Sequence, residues 1–160
     1  MVLDMKRLIS YVDKTLFVLE AVTIVVCGVG ILAALFYGAL ARYLLHVPFP
    51  EEPELTWFFH TWLVFMGVSM VCRGLGDHPY VGILRDRRGR LYKRFIWFLS
   101  IVYAIIMIYS NLSFYDVYKL QKTIILGLPM YTFYLAMLLG LFFMIVRYVI
   151  KAITLDGGSR

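Results

Sequence analysis

The run AVTIVVCGVGILAALFYGALA, Ala21–Ala41, places 21 residues between Glu20 and Arg42 without one charge. At the helical rise of about 1.5 Å per residue it spans about 31 Å, the thickness of one bilayer core. Three further uncharged runs follow: Leu55–Cys72, Phe95–Tyr115 and Thr123–Val146. With 62% hydrophobic and 17% aromatic residues and a mean hydropathy of +0.80, the 160 residues carry more apolar surface than one water-soluble core of this size buries. The runs are continuous rather than alternating, and four are too few for a closed barrel, so helices are required. The expected fold is an all-α integral membrane protein with four transmembrane helices, TM1 21–41, TM2 55–72, TM3 95–115 and TM4 123–146. Gly127–Pro129 is expected in the first turns of TM4, where proline costs least.

Lys and Arg set the orientation. The N-terminal segment carries Lys6, Arg7 and Lys14; the second connection carries Arg73, Arg85, Arg87, Arg88, Arg90, Lys93 and Arg94; the C-terminal end carries Arg147, Lys151 and Arg160. The first connection has only Arg42, and the third only Lys119 and Lys122. Both termini are therefore expected in the cytoplasm. The net charge of +6 is thereby assigned to the bilayer surface rather than to nucleic acid.

Residues 1–20 show apolar positions at Met5, Leu8, Ile9, Val12, Leu16 and Leu19, the pattern of an amphipathic helix. It is expected to lie in the membrane interface before turning into TM1. No cleavable signal peptide is read in this mixed-charge start. Cys27 and Cys72 fall in or at the end of apolar runs, without CxxC spacing, and read as small buried residues.

No Asp, Glu, Lys or Arg lies near the middle of any run. A chain that itself moved ions or anions would place such groups, or broken helices, at the midplane. Catalysis is not indicated either, and no cofactor or metal site is expected. His60 is the one histidine inside a run, too few for a haem held by two histidines, and reads as a hydrogen-bonded structural residue.

Between Ala41 and Leu84 the polar residues divide into two end groups. Arg42 closes TM1 near Glu51 and Glu52, which open TM2; a salt bridge and solvated loop charge are both open readings. Arg73 closes TM2 in the turn CRGLGDHPYVGIL, where Asp77 and His78 can fold back on it. Gly30, Ala34 and Gly38 form a flat strip on TM1 for close approach of another helix, in this chain or in a partner. The strip is the candidate partner-packing surface.

The order Arg42, Glu51–Glu52, Trp62, Phe65–Met66–Gly67, Arg73 and His78 resembles the small permease subunit, Q, of tripartite ATP-independent periplasmic (TRAP) transporters. The likeness is densest over residues 35–85, and Gly82 stands where the family pattern suggests an acid. The resemblance implies a non-catalytic scaffold subunit in a bacterial inner membrane. It implies a large permease subunit, M, as partner, with a periplasmic substrate-binding protein, P, delivering an organic anion for sodium-coupled import. Membrane lipids are the remaining partner. The alternative is a membrane anchor subunit of a quinone- or haem-linked redox complex.

Overall fold

The computed structural model describes residues 2–73 and 89–156, and the described residues are helical apart from their connections. Helix α1 runs over Val2–Leu40 and continues into a π-helical turn at Ala41–Leu45. Helix α2 covers Glu52–Arg73, α3 Gly89–Ser113, the single turn α4 Tyr115–Tyr118 and α5 Tyr131–Asp156. Among the described residues, three helical stretches are long and apolar enough to cross a membrane: Ile9–Leu45, Glu52–Cys72 and Tyr131–Ile150. The apolar part of α3, Phe98–Ser113, is shorter.

Three of the sequence expectations change. First, α1 does not turn at residues 20 and 21; it is one helix of 39 residues, about 59 Å long and nearly twice a hydrocarbon core. The reason is an anchor on α5: Arg147 reaches both Asp13 and Glu20, which holds the first half of α1 along the bundle. Second, the last span begins at Tyr131 rather than at residue 123. Residues 121–130 form a tight loop in which Lys122 pairs antiparallel with Pro129. Gly127 takes a φ of 65°, a left-handed backbone that suits glycine and no helix interior. Third, the Gly30, Ala34 and Gly38 strip, offered for a helix of this chain or of a partner, meets α2 at Gly30 and Gly38.

The connection from α1 to α2 shows how prolines set the path. Ala41 C=O accepts N–H bonds from His46 and Val47, with His46 at a φ of 56° closing the turn. Pro48 then forces Val47 out of helical backbone. Tyr37 packs edge-on against Phe49 at 4.9 Å between ring centroids, and α2 starts with Glu52 and Glu54 in its first turn, where the helix dipole favours acids.

In the packing order α2 lies between α1 and α5, and α5 lies between α2 and α3. The small residues sit where axes are close. A Cβ on Gly140 would stand 2.5 Å from the Phe65 carbonyl oxygen, and one on Gly30 would stand 2.9 Å from the Phe59 ring. Cys72, Ala104, Leu141 and Met144 form the apolar core between α2, α3 and α5. The largest fully buried side chains, however, are Arg147, Glu20 and Ser69, while Val25, Val29, Leu32, Phe36, Phe98 and Ile106 are exposed. An apolar exterior, with the few buried charged groups turned inward to pair with one another, is the arrangement lipid favours.

Candidate functional site

A seven-residue repeat on α1 places the central acid. Asp13, Glu20, Cys27, Ala34 and Ala41 recur at that spacing, and the last four are buried. A strict repeat of seven keeps one seam of a helix facing its neighbours. Glu20 thus points into the bundle by the same register that turns the alanines inward.

Three helices meet at this acid. Arg147 of α5 donates from Nε to Glu20 Oε1 at 3.2 Å and from Nη2 to Glu20 Oε2, a two-pronged charge-assisted contact. Its Nη1 donates to Asp13 Oδ1 at 3.0 Å. Ser69 of α2 donates its hydroxyl to Glu20 Oε1 at 2.6 Å. The Arg147 and Glu20 side chains are 2% and 0% exposed, that of Asp13 29%. Desolvating two charges is costly, and matched geometry with further hydrogen bonds is what offsets it. The arrangement cross-links α1, α2 and α5 through Glu20.

The opposite end of the bundle lies 17 residues along α2, from Ser69 back to Glu52, about 26 Å at helical rise. There Arg42 Nη2 stands 3.6 Å from Glu52 Oε2, with side chains 68% and 18% exposed. Gly38 makes room for this acid, because a Cβ on Gly38 would overlap the Glu52 carboxylate. The closed ion pair is with Glu52; Glu51 is only half-buried. Glu54 does different work, accepting the N–H groups of Ile125 at 3.0 Å and Leu126 at 2.8 Å, and so fixes the 121–130 loop to α2. Beyond this loop Lys119 donates to Asp116 at 2.7 Å; that bond and the Asp116 charge raise the pKa of its ammonium.

The other sequence-predicted residues scatter. Trp62 is half-buried against Phe58 at 6.4 Å, and its buried Nε1 has no hydrogen-bond acceptor among the described residues. At Gly67 a Cβ would meet nothing within 4 Å among the described residues. His60 is exposed rather than hydrogen-bonded inside the bundle as expected. Arg73 ends α2, and His78 lies outside the described residues. A groove between α2, α3 and α5, about 400 Å³, is lined by Phe65, Leu99, Tyr103, Met107 and Leu141 among others, with no acid or base in its wall.

Sequence reading missed Asp13, Glu20, Ser69, Arg147 and Glu54. Glu20 and Arg147 pass for the ordinary end charges of apolar runs. The available signal was the repeat of seven that links Glu20 to Cys27, Ala34 and Ala41.

Helices with apolar outer faces, whose deepest ionised groups bind each other, define an integral membrane bundle held by internal ion pairs. Over residues 31–157 the chain matches the family model described as tripartite ATP-independent periplasmic transporters, DctQ component. The chain belongs to that family and is a TRAP transporter small permease, or Q, subunit. The matched span includes Ser69 and Arg147 and starts after Asp13 and Glu20. No curated protein matches the chain.

Proposed function

We propose that this chain is a non-catalytic scaffold subunit that packs against and stabilises the large M permease of a sodium-coupled importer. The cargo is an organic anion of the carboxylate or sialic acid class, delivered by a periplasmic binding protein. In this reading α3 supplies the third of four spans, both termini face the cytoplasm, and the membrane is the bacterial inner membrane.

The observation that carries the reading is how the buried charge is used. Arg147, Glu20 and Ser69 bind one another across three helices, and Arg147 also reaches Asp13. A group that binds transported anions or ions must exchange partners during each cycle. One locked into a buried three-helix clamp instead fixes a shape. A fixed shape with wide apolar outer faces suits a part against which another subunit moves.

Co-expression with the large permease and affinity pull-down tests the proposal. The two chains are expected to co-purify, and loss of this chain is expected to lower complex yield and organic-anion uptake together. A chain that purifies alone, stable, with uptake unchanged by its deletion, overturns it. A haem band in the visible spectrum of the purified chain would favour the redox-anchor alternative.

A further inference from the structure

The segment between α3 and α5 is most apolar where it is most exposed. Ile124 is 97% exposed and Leu120 81%, and Phe114, Tyr115 and Val117 are about half exposed. In water such surface is unfavourable, in proportion to the apolar area left uncovered. The loop nevertheless holds these side chains out by construction. Thr123 N–H donates to Leu128 C=O at 2.8 Å and Met130 N–H to Gln121 C=O at 3.0 Å. Leu128 N–H donates to Thr123 Oγ1 at 2.9 Å, and the Glu54 carboxylate takes the two amides that follow Ile124.

Depth and charge name the surface that covers them. Glu54 lies in the first turn of α2, directly before the uncharged run 55–72. The amides it binds therefore stand where the hydrocarbon begins, provided α2 spans the membrane. Tyr115 within the segment and Tyr131 just after it are both exposed; aromatic residues favour this level of a bilayer. Lys119 is engaged by Asp116, which leaves Lys122, between the two apolar tips, as the cation placed to meet phosphate. Apolar tips with an adjacent lysine are what a phospholipid interface takes up.

We infer that residues 114–126 form an interfacial membrane anchor, with Leu120 and Ile124 inserted at the boundary of the acyl chains, Lys122 at the phosphates, and Glu54 as the latch that sets their depth. A phospholipid surface, not a protein groove, covers this face.

The test uses the full chain with Cys27→Ala and Cys72→Ala, reconstituted in phosphatidylglycerol-containing vesicles with the membrane proteins that co-purify with it. A spin label at Ile124→Cys reports collisions with oxygen, enriched in lipid, and with a water-soluble nickel chelate. Oxygen collisions are expected to dominate at 124 and at Leu120→Cys, and nickel collisions at Gln121→Cys. Adding Glu54→Gln is expected to shift the 124 label toward nickel.

Dominant nickel collisions at 124 place the tip in water and overturn the inference. A label reached by neither reagent is covered by protein and overturns it as well. An unchanged 124 label in the Glu54→Gln background removes the latch. Should the cysteine-free background fail to fold, Ile124→Trp in the otherwise unaltered chain gives a second readout. Lipids brominated near the top of the acyl chain are expected to quench it beyond the wild-type tryptophans; equal quenching overturns the inference.

Discussion

Both ends of the bundle hold an arginine against a glutamate, and the two pairs differ in nearly every other respect. Arg42 and Glu52 are ten residues apart in sequence, separated by 3.6 Å, with the arginine 68% exposed. Arg147 and Glu20 are 127 residues apart, nearly fully buried, and joined by two N–H donors with a serine and a second acid completing the set. The first pair is open on the arginine side, and in water or among headgroups screening and side-chain entropy consume most of such an attraction. The second has already lost its hydration, so its value lies in the cost of breaking it. Identical residue types therefore make a weak local tie at one end and a structural commitment at the other.

The sharpest way to break this comparison is Arg147→Ala, which leaves Glu20 buried without its cation. The expected loss is about 3–5 kcal/mol, read by chemical unfolding of the purified chain in detergent. The double variant Glu20→Leu with Arg147→Met removes both charges and keeps the volume. It is expected to regain most of that loss, since apolar replacement of a buried pair is often neutral or stabilising. If the double variant folds and assembles but transport is lost, the clamp does more than hold helices together.

Ser69→Ala comes next. It removes one neutral donor from Glu20 and leaves the arginine fork in place, for an expected cost of about 1–3 kcal/mol. A smaller effect would mean that Arg147 alone carries the cluster. Gly38→Ala probes the other end and is expected to cost about 1 kcal/mol. Its methyl would displace the Glu52 carboxylate, the movable tip of a side chain, rather than separate α1 from α2.

What could be read from sequence follows the same division. Continuous uncharged runs announce apolar helices, because lipid forbids unpaired backbone and charge, and so helical structure within 21–40 and 55–72 was legible, though not the bounds of α1 and α2. The Arg42–Glu52 contact was legible only as one of two readings, with Glu51 an equal candidate: a short loop brings helix ends together, but which acid meets the arginine depends on the packing at Gly38. Glu20 and Arg147 meet only after α1, α2 and α5 have packed, and no short-range rule links residues 127 apart. The start of α5 was misplaced for a related reason. Thr123–Met130 is apolar enough to read as membrane, but Glu54 from α2 captures its amides and Gly127 turns the chain at positive φ. Composition gives the solvent of a segment, whereas its backbone partners decide its shape.

Arg42→Ala is the mildest change and the most informative about surroundings. For a pair this exposed the expected cost is about 0–1 kcal/mol, with no gain from compensating changes at Glu52. That figure assumes water or headgroups around the guanidinium. Measured first on the isolated chain and then on the chain assembled with its large permease, the cost should stay small if the Arg42 end remains at a wet surface. If assembly raises it toward the Arg147→Ala value, the permease has buried this end and converted a surface pair into a second internal clamp. The contrast between the ends would then belong to the free subunit alone, and Arg42 would mark part of the interface.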